Sequence, residues 1–153
     1  MDEITRAKKR ALYLLTDMDR TEKELYDKLK KAGYSEETVD ETMEYVKSFG
    51  YIDDRKYAQK YLEFYLGKRS RQRIRFDMGK KGLPKEVISE AFEEIEPYDE
   101  RPLIRSLAVK KLRGLKEEDP KKAQKIGAAL QRQGFRPGDI RSVLEDLDLF
   151  RMD

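Results

Sequence analysis

Phe49-Gly50-Tyr51-Ile52-Asp53-Asp54-Arg55-Lys56-Tyr57-Ala58-Gln59-Lys60-Tyr61-Leu62 reads as the end of one helix followed at once by the start of another. Gly50 can take the left-handed conformation that ends a helix without the steric penalty of a Cβ. Asp53 or Asp54 offers a side-chain oxygen to the open amides of the next turn and a negative charge to its dipole. Ala58 and Leu62, four residues apart, then share one helix face.

The same punctuation recurs on both sides of this joint. Upstream, Ile4, Ala7, Ala11, Leu14 and Leu15 stand at helical spacing and predict a first helix from Asp2 to Asp17. Thr21-Glu22-Lys23-Glu24 is a capping box for a second helix, which stops at Gly33, and Ser35 caps a third that ends near Gly50. Downstream, the fourth helix runs from Asp53 to about Leu66, the fifth lies in the basic run after Gly67 and ends at Gly82, and Pro84 opens a sixth through Ile95. Pro97 interrupts. Asp99 starts a seventh helix to about Leu115, Asp119-Pro120 has the order of cap and first position for an eighth, and Pro137 opens a ninth after Gly134.

Aligning the chain on Gly33, Gly82 and Gly134 shows that these nine helices are three copies of one unit. Eight residues before the glycines stand Leu25, Ile74 and Ile126; four before, Leu29, Met78 and Leu130; one after, Tyr34, Leu83 and Phe135. Met43, Phe92 and Leu144 stand ten after, and Val46, Ile95 and Leu147 thirteen after. The first helix of each copy carries Ala11 with Leu15, Ala58 with Leu62, and Ala108 with Leu112. A unit this small holds a weak core by itself, so neighbouring copies are expected to share contacts.

Composition narrows the function. Asp, Glu, Lys and Arg make up 42% of the 153 residues and apolar side chains 38%, which suits an elongated, soluble, all-α protein with ion-laced surfaces. There is no cysteine and no histidine, so a thiol nucleophile, a thiolate metal site, a Ser-His-Asp triad and an ordinary zinc hydrolase are excluded for this chain alone. No apolar run has the length of a membrane span and the N-terminus lacks the apolar core of a secretory signal, so a cytoplasmic protein is expected. The net charge is only +3, but it is segregated: Asp17 to Asp54 carries twelve acids and six bases, net −6, whereas Arg55 to Lys85 carries eleven bases and two acids, net +9.

That basic island supplies the candidate interface: Lys68, Arg69, Arg71, Arg73, Arg75, Lys80 and Lys81. Arginine offers a planar fork of donors and lysine a mobile point charge to phosphates or acidic loops. At helical pitch Arg71 and Arg75 share a face with Lys68 nearby, while Arg73 projects elsewhere. The competing reading is a solvated face that balances the acidic first copy. Tyr57, Tyr61 and Tyr65 form a stripe better suited to packing, ring in and hydroxyl out, than to stacking on bases. Asp53 and Asp54 are explained by capping, and Glu93, Glu94 and Glu96 have no convergent partner for acid-base or metal chemistry. A helix-turn-helix reading lacks base-reading residues at one helix N-terminus.

Several segments together resemble the RecX family: Ala11-Leu12-Tyr13-Leu14-Leu15, Thr21-Glu22-Lys23-Glu24-Leu25 with Lys28-Leu29, Gly50-Tyr51-Ile52-Asp53-Asp54 with Tyr57-Ala58, Lys81-Gly82-Leu83 with Ile88 and Ala91, and Gln133-Gly134-Phe135 with Ile140 and Leu144. Met78-Gly79 departs from the pattern, standing where the family often has leucine and a larger residue. The resemblance implies a curved array of nine helices in three tandem three-helix repeats, here 1–52, 53–97 and 98–153. It implies no catalysis and no cofactor. It also implies a monomeric modulator in DNA repair and the SOS response, which binds the RecA recombinase filament in its groove and restrains ATP hydrolysis and strand exchange, with DNA contacts in some members. A general DNA-binding helical-repeat protein is the alternative to a filament modulator.

Overall fold

The structure, a computed structural model, describes residues 1–149; Phe150 to Asp153, the last residues assigned to the third repeat, lie outside them. Among the described residues there are nine α-helices and no strand. The first repeat contains α1 (Glu3–Asp17), α2 (Glu22–Lys31) and α3 (Glu36–Ser48); the second α4 (Asp54–Tyr65), α5 (Arg71–Lys80) and α6 (Lys85–Glu93); the third α7 (Arg101–Arg113), α8 (Lys122–Arg132) and α9 (Pro137–Asp146).

The starts follow from local chemistry. Asp2 accepts from the Thr5 amide, Ser35 from the Thr38 amide, and Thr21 and Glu24 form a complete capping box. Asp53 caps α4 by accepting from the amides of Arg55 and Lys56 at 3.0 and 3.2 Å. The eighth helix corrects its expected start: it begins at Lys122, because Asp119 closes a tight turn on the Lys121 amide at 2.9 Å and holds Lys125 Nζ at 2.6 Å instead of capping from Asp119 onward. Gly79 leaves α5 intact through Lys80, at a cost of roughly 1 kcal/mol against alanine.

Most of the aligned columns are buried throughout, while Tyr34, Ile95 and Leu147 stay partly exposed in theirs. Leu25, Ile74 and Ile126 are at most 1% exposed, Leu29, Met78 and Leu130 fully buried, and Ala11, Ala58 and Ala108 fully buried. At the column four residues after these alanines only Leu62 is buried; Leu15 and Leu112 pack partly exposed at core edges. Burying each leucine or isoleucine contributes about 1.5–3 kcal/mol, so these columns dominate the stability of each copy.

The described chain forms two compact units that divide the second repeat. The first comprises residues 1–64 and 77–94, and the second residues 65–76 and those from Ile95 on. In the first, Ala11, Leu14, Leu25, Leu29, Val39, Met43, Val46 and Ile52 make one core. In the second, Ile104, Ala108, Ile126, Leu130, Phe135, Ile140, Val143 and Leu144 make another.

Each unit contains one joint between successive repeats, and the two joints use the same bonds. In the first unit, the buried Thr21 hydroxyl that caps α2 donates to the Lys81 carbonyl at 2.6 Å, and the Glu22 amide donates to Asp54 Oδ1 at 2.9 Å. In the second, the buried Ser70 hydroxyl that accepts from the Arg73 amide donates to the Gln133 carbonyl at 2.6 Å, and the Arg71 amide donates to Glu100 Oε2 at 3.1 Å. In each joint the second helix of one repeat sets its capped N-terminus against the turn glycine and the opening acid of the next repeat. Gly82 and Gly134 have φ of +87° and +97°, and a Cβ there would fall 2.5 Å from Lys23 Cβ and 2.7 Å from Ser70 Oγ. Left-handed backbone and close approach therefore both call for glycine.

Candidate partner interface

The basic segment is set by the turn before α5. Gly67, at φ +81°, reverses the chain so that the amides of Lys68 and Arg69 both donate to the Tyr65 carbonyl at 2.9 and 3.0 Å, and Ser70 then starts the helix. The Arg69 guanidinium lies 3.9 Å from the Tyr65 ring centroid, a cation–π contact that fixes the ring side of Arg69.

From Ser70 onward the bases take different environments. Arg71 turns inward: its side chain is 12% exposed, its Nε bonds Glu100 Oε1 at 3.1 Å and its Nη1 bonds Glu96 Oε1 at 2.8 Å. Burial alone disfavours its charge, but Glu100 and Glu96 outweigh that and raise its pKa further above the ordinary arginine value. The 3%-exposed Glu100 is thus held by both the amide and the guanidinium of one residue. Arg71 is an internal tie of the second joint as well as a member of the candidate set.

Lys68, Arg69 and Arg73 line a cleft of about 210 Å³ with Ser70, Leu107, Gln133 and Phe135, and none of these lining residues is acidic. Arg75 is exposed and lines a separate cleft of about 220 Å³ with Arg71, Gln72, Glu96, Glu100, Gly134 and Arg136. The two clefts lie in the second compact unit. The shared face of Arg71 and Arg75 is present in that second cleft, whereas Lys68 belongs to the first with Arg73.

Lys80 and Lys81 belong to the first compact unit. Lys80 is exposed at the end of α5. Lys81 is half-buried with its Nζ 5.8 Å from the Tyr61 ring centroid; burial pushes its pKa down, and Tyr57, Glu24 and Tyr61 reverse that to hold it above the ordinary lysine value. Tyr57 and Tyr61 stack with ring centroids 6.3 Å apart, and both, like Tyr65, are half-buried.

Arg136 is a base beside the island that a count along the sequence misses. It lines the Arg75 cleft from the turn after Gly134, sixty-one residues further along the chain, where no sequence signal joins it to the island. Among the described residues no group of three or more His, Cys, Asp or Glu side chains is placed to hold a metal ion, and no helix is long and apolar enough to cross a membrane.

Nine helices among the described residues, three copies of one unit in the sequence and a twice-used joint define an all-helical tandem-repeat protein whose second repeat carries a run of bases from Lys68. The chain belongs to the RecX family of regulatory proteins. Residues 7–45 match the family's first three-helix domain, 53–91 its second and 99–144 its third. The regulatory protein RecX of Vibrio vulnificus is 34% identical over 137 residues, covering 89% of each chain. That of Chlorobium phaeobacteroides is 32% identical over 143 residues, covering 90% of each. The crystal structure of RecX from Lactobacillus salivarius superposes with a TM-score of 0.83 at 26% identity, over 96% of this chain and 97% of that one.

Proposed function

We propose that this protein is a non-enzymatic, monomeric regulator that acts in the cytoplasm by binding a RecA-type recombinase filament, in its groove, and inhibiting ATP hydrolysis and strand exchange. The observation that carries the reading is membership of a family of regulators, together with a joint used twice in the chain, once in each compact unit, as suits a partner that is itself repetitive. Many modest contacts on a polymer add through effective concentration, so an assembled filament is bound more tightly than a single subunit. Preference for one filament conformation shifts its activity without chemistry on a substrate.

In this reading Lys68, Arg69, Arg73 and Arg75 of the second unit, and Lys80 and Lys81 of the first, meet acidic protein surface or DNA phosphate in the groove. Arg71 contributes mainly by holding Glu100, so its reversal is a folding variant as much as a binding one. The informative variant is Arg73→Glu with Arg75→Glu, both exposed positions.

The test is binding at physiological salt to single-stranded DNA alone, to free recombinase and to the ATP-loaded filament. Tightest binding to the filament, weakened about tenfold or more by the double reversal, is the expected result. Equal or tighter binding to naked DNA, with filament ATPase unchanged, would replace the regulator by a general DNA-binding protein.

A further inference from the structure

The joint that recurs inside the chain has an open acceptor half in the first repeat. Each acceptor half has three parts: a carbonyl just before a left-handed glycine, the glycine itself, and the second acid of an Asp-acid pair that opens the first helix. In the second repeat these are Lys81, Gly82 and Asp54; in the third, Gln133, Gly134 and Glu100. The first repeat has the same set in Ala32, Gly33 and Glu3. Asp2 caps α1 as Asp53 caps α4, so Glu3 is the counterpart of Asp54. Gly33 has φ +95°, within a few degrees of the other two, yet a Cβ there meets nothing within 4 Å, and Ala32 and Gly33 are both exposed.

Glu3 is turned onto its own repeat: it accepts from the Ser35 amide at 2.9 Å through Oε1, and from the hydroxyls of Ser35 and Thr38 at 3.4 and 3.1 Å through Oε2. These bonds hold its pKa below the ordinary glutamate value, led by the Ser35 amide. A carboxylate has about four acceptor sites, so the three bonds leave Oε1 able to take one more.

We propose that Glu3, the Ala32 carbonyl and Gly33 form a docking site for a helix N-terminus of the partner protein capped by serine or threonine. In the two filled joints the arriving group is that same structure: a hydroxyl that caps its helix and donates to the carbonyl, a first-turn side chain, Lys23 or Gln72, against the glycine, and a first-turn amide on the acid. The occupant follows from continuity with these interfaces and from the attraction between a carboxylate and the positive end of a helix. A second copy of this chain is a poor occupant. Its third repeat places Lys122 where Thr21 and Ser70 stand, twelve residues before the aligned glycine, and so has no hydroxyl to donate.

The proposal rests on filament binding and names its contact: a helix start on a recombinase subunit. Gly33→Asn tests it, because asparagine tolerates the left-handed backbone while its side chain fills the space kept open for the arriving helix. Glu3→Lys places a positive charge against that helix start and does not depend on Gly33. Gly138→Asn, at another exposed glycine with nothing near its Cβ position, is the control.

With helicity checked by circular dichroism, each full-length variant is titrated against the ATP-loaded recombinase filament and sedimented alone. The expected result is about tenfold or greater loss of affinity for Gly33→Asn and Glu3→Lys, with Gly138→Asn unchanged. Wild-type affinity in both folded variants overturns the docking site while leaving the filament reading intact. Absence of filament binding by the wild-type chain overturns both. Self-association that Gly33→Asn abolishes overturns the assignment to a partner and gives the site to a second copy.

Discussion

Replacing the three aligned glycines one at a time by alanine separates backbone cost from contact cost at the joints. Gly33, Gly82 and Gly134 have φ of +95°, +87° and +97°, so an alanine at any of them carries about the same left-handed penalty, roughly 1–2 kcal/mol. At Gly33 nothing else is met, and the total stays there. At Gly82 the new methyl lies 2.5 Å from Lys23 Cβ, 2.9 Å from its Cγ and 2.6 Å from its Cδ, so the near end of the side chain, tied to α2, must move. Overpacking of this kind costs typically about 1–3 kcal/mol, giving roughly 2–5 kcal/mol in all. Gly134 places the methyl 2.7 Å from Ser70 Oγ and 3.1 Å from Gln72 Cβ, a similar clash that also displaces a capping hydroxyl. Urea unfolding followed by far-ultraviolet circular dichroism, fitted with a common m-value, measures the differences. Losses at Gly82 and Gly134 that match the loss at Gly33 would refute the joint as described.

Ser70→Ala removes a cap worth about 1 kcal/mol and leaves the Gln133 carbonyl without its donor for about 1–2 more, so a loss of about 2–3 kcal/mol in urea unfolding is expected, with Thr21→Val behaving alike. Thr42→Val is expected to stabilise by about 1 kcal/mol, because the Thr42 hydroxyl is fully buried and has no hydrogen-bond partner among the described residues while valine fills the same volume; a loss of stability in the same unfolding assay would contradict this. Burial first, with Glu22 and Asp53 adding to it, raises the Asp54 pKa despite its bond from the Glu22 amide. A raised folded-state pKa means the native state holds the proton more tightly. The Asp54 contribution is therefore fully present below about pH 3.9 and is lost as pH rises through the folded-state value. The stability of Asp54→Asn relative to wild type should rise over that interval in unfolding free energies measured from pH 3 to 7, and a flat or falling difference would count against it.

Much of the fold was legible because the repeat is written in apolar side chains at fixed distances from a glycine. Columns such as Leu29, Met78 and Leu130 mark buried faces whatever the loops do. The caps at Thr21 and Ser35, and a cap at Asp53 or Asp54, were legible for the same reason, since each acts within four residues of itself; Asp2 read only as the start of α1. The eighth helix start was not, because Asp119 has two local uses and a turn with Lys121 and Lys125 prevails over a cap.

At the interface, sequence gave the positions of the bases but not their pairing. Arg71 reads like Arg73 and Arg75 until Glu96 and Glu100, twenty-five and twenty-nine residues away, are seen to close on it. Asp54 reads as a second cap until its bond from Glu22 shows it to be a tie between repeats. Both depend on contacts across a joint whose bonds are set by small hydroxyls at positions 21 and 70, and an apolar count passes over those.

The most direct measurement of the whole account is the steady-state ATPase rate of a recombinase filament on single-stranded DNA as this protein is titrated in. The account predicts a saturating fall in rate as the protein is added, blunted by Arg73→Glu with Arg75→Glu. A rate that stays constant up to stoichiometric addition, with the protein demonstrably folded, would contradict it.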